Sequence, residues 1–468
     1  MTPEEIRSAV AAVMPSVRAD LEGLIRIPSV SADPAMAGEV QRAAEEVARL
    51  LRDAGMLEIQ VLTVEGGRPA VLAHRPGPAG APTVCLYAHH DVQRTGARDT
   101  WDSDPFEPTE RDGRLYGRGA ADDKAGIAVH LAALRALGEN LAVCVAVLVE
   151  GEEEIGSPTL DAFLAKYGHL LAADVFILAD SMNWAIGTPA LTTSLRGAVA
   201  CTVEVRTLEH AIHSGIYGGP IPDALTALCR LLATLHDDAG DVAVAGLHVG
   251  QADALDLTEA HLRADAHVLA GVEMIGTGTL TERLWTRPAL AVLAIDAPRV
   301  AEASGTLQPV ACAEISMRTA PGQDGTAAME ALVHHLEAHA PWGARVTVTR
   351  GSVDEAYAID TRGPVYDAAR LAFAAAWGTK PVDVGIGGSI PFVASFANSH
   401  PDATILVTGV EDPDTRAHGA NESLHLAEWE RACLAEALLL AGLGADPRGA
   451  GHDGRVSADH DGTVIGAV

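Results

Sequence analysis

The chain has 468 residues, 48% hydrophobic content and a formal net charge of −30. That length exceeds one ordinary core, so two domains are expected. The acidic balance disfavours nucleic acid and anionic membranes as partners, and no stretch of 18 apolar residues free of charge offers a transmembrane helix.

The first helix is expected over Thr2 to Ile25, where Thr2-Pro3-Glu4-Glu5 is a start signal. The same acidic start lacks the basic and apolar segments of a secretion signal, so a cytoplasmic location is expected. A second helix is expected from about Gly38 to Ala54, then strands near Glu58–Val64 and Ala70–His74. Pro76-Gly77-Pro78-Ala79-Gly80 is a turn before a strand that ends at His89. A helix from about Lys124 to Leu137 precedes a strand starting at Leu141. This alternation up to Asp180 is the pattern of a parallel sheet covered by helices.

After Leu195 the texture changes. Gly197 to Thr207 alternates like a strand, Ile221 to Leu235 reads as a helix, and a long apolar, Gly-rich stretch follows. Strands are expected over Ala311–Arg318 and Ala344–Thr349, with a helix over Thr326–Ala338 between them. These pieces form an α+β insert at about 196–352. From Arg362 the α/β pattern returns, with a helix at Pro364–Ala376, a strand at Thr404–Val410 and a helix at His425–Leu443. The Gly- and Asp-rich residues 445–468 read as a poorly ordered tail. The six cysteines, Cys85, Cys144, Cys201, Cys229, Cys312 and Cys433, include no C-x-x-C pair and are expected to be reduced core residues.

Metal-ligand residue types collect where apolar runs stop. Val84 to Ala88 leads into His89, His90 and Asp91; the strand from Leu141 leads into Glu150, Glu152, Glu153 and Glu154; Val175 to Ala179 leads into Asp180; Ala403 to Val410 leads to a loop holding His418. In open α/β sheets ligands bind outside the carboxyl ends of strands. His89 and Asp91 are two apart and can serve one site. Crowded carboxylates repel unless cations offset them, and one glutamate can ligate while its neighbour acts as general base. Asp122, between a Gly-rich loop and a helix, can either bridge two cations or, like Asp123, cap the helix. Such imidazole and carboxylate donors suit zinc, with manganese or cobalt also fitting.

In chain order, Tyr87-Ala88-His89-His90-Asp91-Val92-Gln93, Tyr116 to Gly126, Glu150 to Ser157, Ala179-Asp180-Ser181, His213 to Gly219, Gly387-Gly388-Ser389-Ile390-Pro391 and Ala417-His418-Gly419 resemble the M20 family of dinuclear zinc metallopeptidases. The resemblance is particularly to its cytosolic dipeptidase branch, related to carnosine dipeptidases, and covers most of residues 1–440. The resemblance implies a zinc-peptidase-like α/β catalytic domain with a helix-flanked mixed sheet, residues 1–195 and 353–444, and an inserted α+β lid or dimerisation domain, residues 196–352. It further implies two zinc ions per subunit: His89 and Asp180 on one, Glu154 and His418 on the other, Asp122 bridging. Glu153 would be the general base and acid, and Asp91 would orient His89 and support Glu153. His213 would reach the active site of the other subunit of a homodimer. Arg318, Gly388 and Ser389 would hold the substrate carboxylate. The chain departs from the family pattern at Ala211, at Thr306, and at Gly385-Ile386 before the Gly-Gly-Ser motif.

The expected activity is hydrolysis of the amide bond of dipeptides or short peptides by metal-activated water. Two alternatives use the same residues: an N-acyl-amino-acid amidohydrolase, and a non-catalytic metal-binding homologue, against which the intact Glu153 argues.

Overall fold

Side-chain alternation in the central strands explains the larger sheet. In the strand Thr83–His89, Val84, Leu86 and Ala88 enter one core, while Cys85 and Tyr87 enter another. The strand Cys144–Glu150 divides in the same way, Val145, Val147 and Val149 against Ala146 and Leu148. Strands covered on both faces read as continuous apolar runs, which is why these two were legible. Leu86 and Leu148 are fully buried, and truncating either to alanine costs about 2–5 kcal/mol.

The computed structural model describes residues 1–252, 255–387 and 391–445. Gly388, Ser389 and all but the first residue of the expected tail lie outside the described residues. The larger sheet has nine strands, in the order Glu58–Leu62, Ala70–Arg75, Cys144–Glu150, Thr83–His89, Val175–Leu178, Thr404–Val407, Ala190–Leu195 and Tyr357–Ala358, with Val382–Ile386 also paired to Ala190–Leu195. Thr83–His89 runs parallel to both Cys144–Glu150 and Val175–Leu178, and Thr404–Val407 runs parallel to Val175–Leu178. These four strands therefore open on one carboxyl edge. The sheet is mixed, because Glu58–Leu62 and Ala70–Arg75 join antiparallel to their neighbours.

Helices Pro3–Ile25, Lys124–Leu137, Pro364–Trp377 and Leu426–Ala445 contribute to one core, and Leu160–Tyr167 with Pro391–Ser399 to the other. The first helix starts as its sequence dictates: Thr2 accepts from the Glu5 N–H at 3.3 Å, and Glu5 accepts from the Thr2 N–H at 2.7 Å.

A second, antiparallel sheet has the order Ala289–Asp296, Val310–Thr319, Gly197–Arg206 and Arg345–Asp354. Val199, Cys201, Val203 and Val205 pack with Ala313, Ile315 and Met317 against helices Ala224–Leu232 and Gly325–Ala338. Within the Gly-rich stretch the structure adds the helices Glu259–Asp265 and Leu280–Trp285 and the strand Ala289–Asp296. That strand is an edge and exposes Val292, Leu293 and Ile295, so its pattern carried no sign of burial.

All six cysteines are free, but Cys229 is exposed and Cys144 and Cys312 are only half-buried, which corrects their reading as core residues; Cys85, Cys201 and Cys433 are buried. Helical spacing turns Ala224, Ala227, Leu228 and Leu231 inward and leaves Cys229 outside. Among the described residues no helix is long and apolar enough to cross a membrane.

Candidate metal centre

The carboxyl edge of the four parallel strands gathers the candidate ligands around Asp122. Asp122 Oδ1 is 3.1 Å from His89 Nε2, and Asp122 Oδ2 is 3.0 Å from His418 Nε2. His89 Nε2 also lies 3.8 Å from Asp180 Oδ1 and 4.0 Å from Glu153 Oε2. On the other side, Glu154 Oε2 is 3.1 Å from His418 Nε2. Two ligand groups result, His89–Asp123–Asp180 and Asp122–Glu154–His418, each with donor atoms within 4.8 Å of one another. Asp122 belongs to the second group and touches the first through its other oxygen.

The donor set fits a divalent cation in each group. It mixes imidazole nitrogen with carboxylate oxygen, as borderline metals prefer. Asp123 Oδ1 is buried without a hydrogen-bond partner, and Glu154 Oε2 has only the His418 imidazole beside it. Orphaned acceptors of that kind are costly unless a cation satisfies them.

The acidic turn after Cys144–Glu150 sorts its four carboxylates. Glu150 accepts the Tyr87 hydroxyl at 2.8 Å. Glu152 accepts from Thr159 Oγ1 at 2.6 Å and from the Arg68 N–H at 2.9 Å. Both are thereby committed to the scaffold, leaving Glu153 and Glu154 for the centre. Asp91 accepts the N–H groups of Glu153 at 3.2 Å and Glu154 at 3.1 Å, and its carboxylate lies 3.4 Å from His89 Nδ1. One carboxylate thus fixes both an imidazole and the turn that carries the two glutamates. His90 points away: its Nε2 meets the Pro69 carbonyl at 2.9 Å, and burial pushes its pKa down to about 4.

Two loops supply the remaining ligands. Gly126, in the first turn of Lys124–Leu137, has no room for a side chain: a Cβ would stand 2.2 Å from Asp123 Oδ1 and 2.7 Å from the Ala179 carbonyl. That close approach seats the helix against the end of the Asp180 strand. Asp123 occupies the N-cap position but makes no side-chain capping bond, so the helix-cap alternative does not apply to it. In the second loop Arg416, His418 and Asn421 adopt left-handed backbone, His418 at φ 61°. Gly419 itself is not left-handed; a Cβ there would press the Arg416 carbonyl at 3.1 Å.

Burial and mutual repulsion set the protonation of the centre. Burial raises Glu153 well above the ordinary value, with Asp180, Glu154 and Asp122 adding to it. Burial and Asp122 raise Glu154 to about 7 and Asp180 to about 6. The contacts with Asp122 and Glu154 lift His418 to about 11.

Several residues of the site escaped the sequence reading. Glu422 is fully buried and accepts from the N–H groups of Gly119, Ala121 and Asp122 at 3.1, 3.1 and 3.2 Å. Arg118 donates to it at 2.6 Å. Arg196 is buried, donates to the Arg287 carbonyl at 2.5 Å and lies close enough to Arg318 for their charges to interact. Each depends on contacts far apart in sequence. Only the presence of Glu422 four residues after His418 hinted at any of them.

Other expected site residues stand apart from the centre within this chain. His213 is exposed, on a two-residue strand paired with Thr306–Leu307, and its Nδ1 accepts from the Gly215 N–H at 3.0 Å. Thr306, one of the departures from the family pattern, is thus His213's direct strand partner. Arg318 is half-buried on Val310–Thr319 of the second sheet.

Ligand-type residues thus collect on the carboxyl edge of a mixed sheet whose strands flank an antiparallel unit in the chain. The profile of peptidase family M20/M25/M40 matches residues 85–441, and the chain belongs to this family. The cysteinylglycine-S-conjugate dipeptidase of Corynebacterium striatum is 34% identical over 430 residues, 90% of this chain and 94% of the relative. Human Beta-Ala-His dipeptidase is 28% identical over 386 residues, 76% of this chain and 74% of the relative. Among solved structures, the di-peptidase Dug1p of Saccharomyces cerevisiae superposes with a TM-score of 0.77 at 21% identity, covering 95% of this chain and 99% of that one.

Proposed function

We propose that the protein is a metallo-dipeptidase with two divalent ions per subunit, zinc by default. The observation that carries this reading is the double-faced contact of Asp122 with His89 and His418. His89 and Asp180 would hold one ion, Glu154 and His418 the other, and Asp122 both. When bound, such ions polarise the scissile carbonyl and acidify a water.

The chain's own residues do the rest. Glu153 takes the proton of the attacking water and returns it to the leaving nitrogen; it stands 4.0 Å from His89 and adjoins the ligand Glu154. Asp91 keeps His89 oriented through Nδ1 and holds the Glu153–Glu154 turn. Arg318, with Gly388 and Ser389, would bind the substrate carboxylate.

Residues 1–195 and 353–444 would form the catalytic domain and 196–352 a lid through which two subunits associate. The exposed apolar side chains of the edge strand Ala289–Asp296 support a partner on that unit. So does the exposure of His213, which would complete the site of the other subunit by stabilising the oxyanion. The dipeptidase names of the relatives support dipeptides as the substrate class.

Metal-loaded protein assayed on dipeptides and N-acetyl amino acids, with and without chelator, tests the reading. Chelator-sensitive dipeptide cleavage is expected. Preference for N-acetyl amino acids would favour an amidohydrolase, and binding of metal with no hydrolysis would favour a non-catalytic homologue.

A further inference from the structure

A dipeptide carries a free ammonium close to the scissile bond, and Glu411 is a carboxylate near the centre that belongs to neither ligand group and, unlike Asp91 and Glu153, has no role in the mechanism above. Glu411 lies between the strand Thr404–Val407 and His418. Its N–H donates to the Ser181 carbonyl at 3.3 Å, and its carbonyl accepts the Asn183 N–H at 2.8 Å, in a parallel bridge with Met182. Those residues directly follow Asp180, so the main chain of Glu411 is pinned alongside a ligand segment. Its carboxylate lies within reach of the charges of Asp122, Asp180 and His418. The side chain is half-buried and has no hydrogen bond or ion pair among the described residues. The next residue, Asp412, is by contrast engaged by both terminal nitrogens of Arg114 at 3.1 and 3.0 Å. A half-buried carboxylate facing other carboxylates is unfavourable unless a cation meets it.

A cavity of about 470 Å³ opens on the same two segments, walled by Met182, Trp184, Leu257, Leu284, Trp285 and Pro413. Asn183, Asp256 and His261 are also in its lining, and Glu411 is at its margin through Met182 and Pro413. Trp184 and Trp285 meet edge to face with ring centroids 5.9 Å apart. Met182 pairs with Glu411 and Pro413 follows it by two residues, so the carboxylate and the apolar wall share a backbone frame. Largely apolar concave walls with a few fixed polar groups are what orients a small ligand.

We propose that Glu411 and this cavity form the subsite for the substrate's amino-terminal residue, Glu411 accepting from the free α-ammonium and the cavity holding a large apolar side chain. The inference rests on the dipeptidase reading and sharpens it: the site selects unblocked dipeptides such as Leu-Gly over N-acyl amino acids.

Leu-Gly, Gly-Gly and 4-methylpentanoyl-glycine, which is Leu-Gly without its amino group, separate the parts. Wild-type protein is expected to favour Leu-Gly over the amino-free analogue by about 10–100-fold in kcat/KM, the range of a hydrogen bond to a charged group. Glu411→Gln should retain both metal ions and lose that discrimination, and Glu411→Asp should keep part of it. Trp184→Ala should lower kcat/KM for Leu-Gly at least about five-fold and leave Gly-Gly within about two-fold. Unchanged discrimination in Glu411→Gln, or loss of a metal ion from it, overturns the role of Glu411. Equal losses on Leu-Gly and Gly-Gly in Trp184→Ala overturn the cavity assignment. Metal-loaded wild-type protein that cleaves none of the three removes the dipeptidase reading and the subsite with it.

Discussion

Arg118 and Glu422 meet at 2.6 Å across 304 residues of chain, in a fully buried ion pair. Arg118 also donates to the Gly419 carbonyl at 3.0 Å, and the Gly117 N–H donates to the Glu422 carbonyl at 3.0 Å. The loop that ends in Asp122 is thereby fastened to the loop that carries His418, and the spacing between those two candidate ligands follows from the pair.

Glu422→Gln replaces an acceptor of four N–H donors with a group that must present its own N–H to some of them. Metal affinity should fall about 10–100-fold, as for other residues that orient ligands from behind. Competition with a chromophoric chelator measures it, and wild-type affinity in the variant would show that the pair is only structural.

Glu153→Gln should keep both ions and lower turnover by at least ~10²-fold, the usual contribution of a general base. Steady-state kinetics together with metal analysis check both halves. A variant of near-normal activity would remove Glu153 from the role.

Mixing inactive His213→Ala subunits with inactive Glu153→Gln subunits tests action across a dimer. Each mixed dimer, its formation verified by native mass spectrometry, has one site with an intact base and an intact His213, so activity should return. Mixed dimers that form and stay inactive would place His213 in its own subunit's chemistry or in none.

How much of this was legible in the sequence depended on distance along the chain. His89, Glu154 and Asp180 end or closely follow apolar runs, so a strand-end rule finds them. Asp123 reads locally as a helix cap, Glu422 has only its nearness to His418, and Glu411 shows no local signal, because their meaning comes from groups brought in by the fold. The stretch between Leu235 and Val310 also resisted: its strand Ala289–Asp296 is an exposed edge with no buried face to set a period. Buried strands such as Val175–Leu178 gave their pattern away for the opposite reason.

His130 provides a pH signature outside the centre. Its Nδ1 is 2.8 Å from Glu436, and its Nε2 is 3.0 Å from the Tyr87 carbonyl. Burial opposes its protonation, but the charge and hydrogen bond of Glu436 outweigh burial and raise the pKa. A folded-state pKa above the unfolded value of about 6.5 gives stability that is full below that pH and is lost as pH rises through the folded value. His130→Gln should therefore cost about 3 kcal/mol near pH 6, the range for breaking a buried pair, and less in alkaline solution. Urea unfolding at both pH values reads the difference; a cost that grows with pH would contradict the assignment.

The central claim is a two-ion centre shared through Asp122, and metal stoichiometry tests it most directly. Dialysed protein, saturated and then quantified by inductively coupled plasma mass spectrometry, should hold about two divalent ions per chain, and His89→Ala should hold fewer. One ion per chain at saturation, or full metal content in His89→Ala, would contradict the account.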